Sequence, residues 1–401
     1  VREKPSLADY DGRRRFFILK RQKMVLIKNT PGIEEKLKIL SQDSRYDLAC
    51  ACATSKDEHR SRSKEDKWVY PVVLPNGGTT YLFKTLLSNE CVNNCKYCPL
   101  RTGVDNRRCS LQPEELARAF LSYYRQGRVS GLFLSSAVTN SPDTTTERIN
   151  RTALILRKMQ FRGYIHLKII PGASDAAIRQ TIALASAVSL NIETAGEDNF
   201  RHLSTSKDYL RDILRPIQLI SRLTQKGSYY SGVKQTTQFV VGASKETDSD
   251  IIGYSWKLYK ELGLSRVYFS AYQRGAGSPE LPGEHSSFTN SELLSREHRL
   301  YQVDWLMRKY GFQVEEIPLD SSGNLLLNID PKEAWAKQHP EFFPVNINKD
   351  DKYRLLRVPG LGQVMVERII CARSNGIKLR SLEDLGKLNK IIRKAQGYVI
   401  F

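Results

Sequence analysis

Cys91-Val92-Asn93-Asn94-Cys95-Lys96-Tyr97-Cys98 sets three thiols in the spacing C-x3-C-x2-C. A tetrahedral zinc site closes with four ligands, commonly from two C-x2-C pairs, and the chain has no second such pair. A four-iron cubane cluster is held by cysteine thiolates. Three closely spaced thiolates hold three of its corners and leave the fourth iron open for a small ligand. Three structural or zinc-binding thiols are the competing reading of the same residues.

The stretch resembles the signature of the radical S-adenosylmethionine (SAM) superfamily, C-x3-C-x-aromatic-C, with Tyr97 in the aromatic place. The resemblance implies a [4Fe-4S] cluster on Cys91, Cys95 and Cys98, with SAM chelated to the open iron. It implies an enzyme in which an electron from the cluster cleaves SAM. The released 5′-deoxyadenosyl radical then abstracts hydrogen from a substrate. A flavodoxin or ferredoxin is the kind of electron donor such an enzyme takes.

A chain of 401 residues exceeds one ordinary domain, and 40% hydrophobic residues supply a sizeable core. Seven cysteines, three of them clustered, do not read as a secreted disulfide framework. With an exposed cluster to protect, a cytoplasmic, reducing location is expected. No apolar run approaches the roughly 20 residues that span a bilayer, so no membrane partner is expected. Lys and Arg number 62 against 43 Asp and Glu, a net charge of +19. Such an excess favours polyanionic partners, nucleic acid above all, and a generally basic solvated surface accounts for it equally.

Residues 1–40 are basic, with Arg13-Arg14-Arg15 and Lys20-Arg21, and read as a disordered N-terminal segment carrying a short helix at 33–40. Residues 41–80 read as a polar extension, largely loop, in which Cys50 and Cys52 are structural. From 81 onward strand and helix patterns alternate. Strands are expected at 81–88, 131–136, 164–170, 188–193, 234–241 and 266–272, and helices at 112–126, 148–160, 175–185 and 249–262. That rhythm demands parallel pairing with crossover helices, hence an α/β barrel. The resemblance makes it a partial (β/α)6 barrel, with a radical SAM core at 81–310.

In such barrels chemistry gathers at the carboxyl ends of the strands. Side chains alternate along a strand, so period-two polar residues mark an inward face. His166 shares a face with Lys168, Asn191 with Glu193, Thr236 with Gln238, and Tyr268 with Ser270 and Tyr272. The resemblance adds roles around SAM. Ser135 and Ser136 stand where the family usually has Gly-Gly-Glu beside the amino group, a departure from its pattern. Asn191 or Glu193 maps onto the ribose contact, with Gln238 on the following strand. Gly242 and Glu246 loosely match a glycine and acidic residue expected there. The backbone of Tyr97 meets the adenine, and Lys168 meets the SAM carboxylate or a substrate phosphate. No catalytic residue is assigned; Cys109 and Cys371 are the remaining candidates for a radical relay.

Residues 273–291 read as a long loop and 296–310 as an amphipathic helix. Leu300, Val303, Met307 and Tyr310 form its apolar stripe. His298, Gln302 and Trp305 form a mixed stripe that either packs or faces the barrel mouth to stack a base. Residues 311–348 read as a connecting and docking segment. In 349–401, two short helices flank Val358-Pro359-Gly360-Leu361-Gly362, which resembles a helix-hairpin-helix. The resemblance implies a small all-α domain that grips a DNA backbone through Gly360, Gly362, Arg357 and Arg368. The tail carries 12 Lys and Arg against 5 Asp and Glu, which suits that use, while a protein-docking hairpin is the bland equivalent. In its order of features, 35–401 resembles the DNA modification or repair branch of the superfamily. DNA is the implied substrate, and RNA, particularly tRNA, its nearest rival. A non-catalytic, metal-containing nucleic-acid-binding protein and a tail recruiting a glycosylase-like partner are the other readings.

Overall fold

The computed structural model describes residues 31–44, 68–74, 78–386 and 389–401. The basic clusters near the start, the 45–67 stretch and Cys50 and Cys52 lie outside them. After helix α1 (Ile33–Asp43), strand β1 (Val69–Val73) pairs antiparallel with β2 (Thr79–Leu86). The parallel series follows: α2 (Pro113–Arg125), β3 (Gly131–Ser135), α3 (Pro142–Lys158), β4 (Tyr164–Lys168), α4 (Asp175–Leu184) and β5 (Ala187–Ser189). Next come α5 (Glu197–Leu203), a π-helical turn (Tyr209–Leu214), α6 (Arg215–Thr224), β6 (Lys234–Val241), α7 (Asp248–Lys260) and β7 (Arg266–Ala271). The sheet order is β1-β2-β3-β4-β5-β6-β7, with every pairing from β2 onward parallel. The six strand–helix steps expected from the sequence are therefore present as a partial barrel, with β1 as an added antiparallel edge.

Capping chemistry sets several boundaries. Helix α2 begins where Gln112 and Glu115 form a capping box ahead of Pro113. Helix α3 starts at Pro142 rather than 148, because the Ser141 side chain accepts from the Thr144 N–H and Pro142 suits the first turn. Strand β5 is shorter than expected. The chain leaves the ladder after Ser189 and touches the sheet again only where Glu193 bridges Phe239. The sequence reading assigned nothing between 194 and 233, where α5, the π-turn and α6 lie.

Outward residues of the strands, among them Phe83, Leu132, Ile165, Val188, Phe239 and Phe269, are fully or almost fully buried beneath the helices. Helix α8 (Asn290–Lys309) starts six residues earlier than expected, at a Thr289–Glu292 capping box. It runs antiparallel to β7. Glu297 accepts the Ala271 N–H (2.6 Å), the Tyr301 hydroxyl accepts the Phe269 N–H (3.1 Å), and Asp304 pairs with Arg266 (3.6 Å). Helix α8 thus descends from the carboxyl ends of the strands to their amino ends.

At its foot stand α9 (Pro331–Gln338), β8 (Val345–Asn346), α10 (Lys352–Arg357), α11 (Gln363–Ser374) and β9 (Val399–Ile400). The tail is helical apart from β9, which pairs with β8. Its buried residues, including Leu355, Leu356, Leu361, Val366 and Ile369, belong to the same continuous apolar cluster as the barrel.

Candidate active site

Cys91, Cys95, Cys98, Tyr97, Ser135, Ser136, Lys168, Asn191, Glu193 and Gln238 all line one cavity at the carboxyl ends of the parallel strands. The strand pleat explains how. Ser135, Lys168 and Gln238 end or lie within strands whose alternate residues face inward, and Asn191 and Glu193 continue β5 beyond its ladder.

The cysteine loop leaves β2 and is knit to its surroundings. The Lys96 N–H donates to Leu203 O (2.7 Å), and Asn94 Nδ2 donates to the Thr205 hydroxyl (2.7 Å). The three thiols are free, with Cys95 the most buried and 3.8 Å from the Ser204 hydroxyl. Burial, and then the neighbouring Cys95 and Cys91 thiolates, push the Cys98 thiol up to about 12. Three thiolates therefore do not coexist here without a positive centre among them.

Glu193 is the most constrained residue of the site. Its backbone holds φ +68°, a left-handed conformation uncommon for a side chain of this size. Its N–H donates to Gln238 O and its carbonyl accepts from the Val240 N–H, so β6 fixes it on both sides. Its carboxylate accepts from the Tyr97 hydroxyl (2.7 Å) and from Asn191 Nδ2 (3.3 Å). Burial and the adjacent carboxylate and thiolates hold the Tyr97 phenol well above its ordinary range.

Lys207, from the turn between α5 and the π-helix, was missed by sequence reasoning. It reaches the same cavity. Burial opposes its charge, but Cys95 and Glu193 outweigh that and keep the ammonium protonated beyond its usual range. No motif marks it; the only signal was a lone lysine in a polar Ser-Thr-Ser-Lys turn of an unassigned stretch. Arg101 was missed as well. Its guanidinium donates to Cys98 O, Ala276 O and Gly277 O. With the Lys96–Glu280 ion pair (3.0 Å), it straps the 273–285 loop across the cysteine loop.

Other expectations resolve differently. Ser136 donates its hydroxyl proton to Ala137 O (2.7 Å), leaving only lone pairs to a ligand. Glu246 accepts the Gly242 N–H (2.9 Å) and the Thr194 hydroxyl (3.2 Å), so it braces the strand ends from outside the cavity. Cys109 is buried against Lys36 O and Cys371 is exposed on α11, and neither lines the cavity, so neither is placed to relay a radical.

The tail departs further from expectation. His298, Gln302 and Trp305 line a second cavity with Pro359, Gly360 and Gly362, at the foot of α8 and away from the mouth. From Glu297 to Tyr310 the helix covers about 20 Å at 1.5 Å per residue. The hairpin and the thiols therefore stand at opposite ends of the barrel. Arg357 is not a free DNA contact. Its guanidinium pairs with both oxygens of Glu316 (2.5 and 3.1 Å) and lies over Phe312 and Trp335. Gly360 holds φ +88°, and a Cβ there would meet Ile391 O at 2.4 Å. The last segment of the chain thus covers this glycine. Arg368 is exposed on α11.

Residues 85–254 match the family model described as the Radical SAM superfamily. No protein of curated function matches the sequence. Among solved structures, the FeFe-hydrogenase maturase HydG from Carboxydothermus hydrogenoformans is 17% identical, over 54% of this chain and 49% of that one, with a TM-score of 0.42. Methylornithine synthase (PylB) is 14% identical, over 54% and 62%, with a TM-score of 0.41. The radical SAM methyltransferase TsrM from Kitasatospora setae is 12% identical, over 47% and 35%, with a TM-score of 0.36. The chain thus spans about half the length of the first of these, and no property of those proteins is transferred on so loose a likeness.

Enzymes of this superfamily use a [4Fe-4S] cluster and SAM, and the donor set here fits both. Three free thiols share one buried loop, in need of positive charge, beside cationic and carboxylate side chains suited to an amino acid and a ribose. Among the described residues no three His, Cys, Asp or Glu side chains are gathered to hold a single metal ion. Over residues 85–254, this chain belongs to the radical SAM superfamily.

Proposed function

We propose that this protein is a radical SAM enzyme acting on nucleic acid, with DNA as the substrate. The observation that carries the enzymatic part is the convergence of Cys91, Cys95 and Cys98 with Lys207, Glu193 and Tyr97 in one cavity. When bound, the cluster and SAM supply a low-potential electron and a 5′-deoxyadenosyl radical. The three cysteines would hold the cluster. Lys207 and Lys168 offer cations to the SAM carboxylate, and Ser135 offers a hydroxyl oxygen to its amino group. Glu193, held rigid by Tyr97 and Asn191, offers an acceptor to ribose hydroxyls. The 273–285 strap, tied down by Arg101, narrows the mouth against water.

Charge supports the nucleic-acid part, at +19 overall and 12 against 5 in the tail. Base modification or repair is the class of reaction that matches hydrogen abstraction on DNA, and a base would have to leave the stack to enter the mouth. The hairpin is not the hand that presents it, because it faces the other end of the barrel. RNA is the second reading, favoured by the same charge. A protein partner of glycosylase type on the hairpin is the third.

Anaerobic reconstitution should yield about four irons per chain. Reduction with SAM should then yield 5′-deoxyadenosine, and Cys95→Ala should abolish both. Equal SAM cleavage by the Cys95→Ala protein would sink the enzymatic reading. Competition between duplex DNA and tRNA at one fixed salt concentration separates the two substrates.

A further inference from the structure

The second cavity is a built pocket with no part in SAM chemistry. It encloses about 470 Å³, within the size range of small-ligand sites. Its walls come from α8, the start of α9, the hairpin and the 391–394 segment. Trp305 forms one wall and remains 40% exposed, an unusual state for a tryptophan on a helix that is otherwise well covered. The ring is not loose. Its N–H donates to the Tyr310 hydroxyl, and the Arg308 guanidinium lies 5.8 Å from its centre.

The opposite wall is backbone. Gly362 caps α11 without a side chain, and the Gln363 N–H donates to the same Tyr310 hydroxyl. The amino end of this 12-residue helix is therefore turned toward the cavity, where its dipole favours an anion. The rim adds charge of the same sense. Lys390, Arg393 and Lys394 are exposed along the covering segment, and Lys394 reaches Glu333 at 2.6 Å. Lys332, buried at the base, spends two of its three donors on Leu356 O (3.1 Å) and Leu361 O (2.6 Å), which pins the hairpin in this orientation.

A fixed aromatic face, a helix amino terminus and a basic rim together match one chemistry, a planar base carrying a phosphate. We propose that this pocket binds a single nucleotide unit, its base against Trp305 and its phosphate toward the first turn of α11. The unit comes either from a free nucleotide or from an unpaired position of a strand. The assignment draws its ligand class from the nucleic-acid reading, but not its geometry, and it is independent of SAM cleavage. It makes the floor of the barrel a recognition site separate from the reaction at the mouth.

The test titrates the full-length protein with deoxyadenosine 5′-monophosphate, a single-stranded pentanucleotide and a duplex, reading tryptophan fluorescence and calorimetry. Saturable binding of the mononucleotide points to a free nucleotide, and binding of the single strand alone to a strand position. In either case Trp305→Ala should weaken binding about tenfold or more, the scale of a lost base stack, and Trp305→Phe should retain most of it. Deoxyadenosine without phosphate should bind more weakly than its monophosphate. Cys95→Ala protein, titrated in parallel, should bind like wild type, which keeps this outcome apart from any failure of the SAM reading. No saturable binding of any probe, or equal affinity in Trp305→Ala, overturns the proposal.

Discussion

The two ends of the barrel are built on different principles. At the mouth, side chains from β3, β4, β5, β6, the cysteine loop and the turn after α5 converge from widely separated parts of the sequence. Several are buried polar groups, and one, Glu193, sits on a strained backbone. At the floor, the second cavity is bounded by α8 and the segments that follow it, with only Arg266 from an earlier strand. Its glycines and ion pairs satisfy one another. The mouth stores unsatisfied chemistry for a ligand, whereas the floor is a nearly complete packing unit with one aromatic wall left open. The separation of about 20 Å along α8 also means that one end does not directly serve the other.

The seam between the two is the place to break that picture hardest. Arg296 on α8 pairs with Asp248 at 2.6 Å, the two being 4% and 0% exposed, and also donates to Glu246 O. Removing one member of a buried pair strands the other, so Asp248→Asn should cost about 3–5 kcal/mol, seen as a drop in thermal midpoint. If α8 were only loosely attached to the mouth, the loss would be far smaller.

At the floor, burial lowers the Lys332 amine to about 7. Its unfolded value is near 10.4, so between these limits the unfolded chain binds the extra proton. Stability should therefore rise as pH climbs from about 7 toward 10, with a limiting slope of about 1.4 kcal/mol per unit. Lys332→Met should lose that slope in chemical denaturation across this range. An unchanged slope would place the titrating group elsewhere.

Gly360→Ala sets a side chain at positive φ against Ile391 O and should cost about 1–3 kcal/mol. Proteolysis should report the loss first in the segment after residue 389. The smallest effect expected belongs to the mouth. Lys207→Met should leave the thermal midpoint nearly unchanged while raising the SAM requirement about tenfold, as loss of one charged hydrogen-bonding partner does. A large stability loss with unaltered SAM dependence would recast Lys207 as a structural lysine.

Much of the barrel was legible because its signals are local. The C-x3-C-x2-C loop, the strand rhythm and the period-two polar residues depend on neighbours a few positions away. They placed ten cavity residues correctly in one space. Lys207 was not legible, since nothing near it in sequence announces that Cys95, more than a hundred residues earlier, comes to lie beside it. Arg357 misled for the opposite reason. A basic residue beside a glycine hairpin looks free until Glu316 and the rings of Phe312 and Trp335 are brought against it.

The amino-acid sequence by itself determined the parallel strand–helix order, the three thiols and the polar inward faces, because backbone pleat and helical pitch translate local patterns directly into direction. It also determined a glycine hairpin with helices on either side. Only the tertiary structure decided which end of the barrel that hairpin occupies. That choice depends on α8 running antiparallel to β7 and on the burial of Leu361, Val366 and Ile369 against its foot. Long-range packing of this kind is set by which apolar surfaces find one another, and no short stretch of sequence carries it.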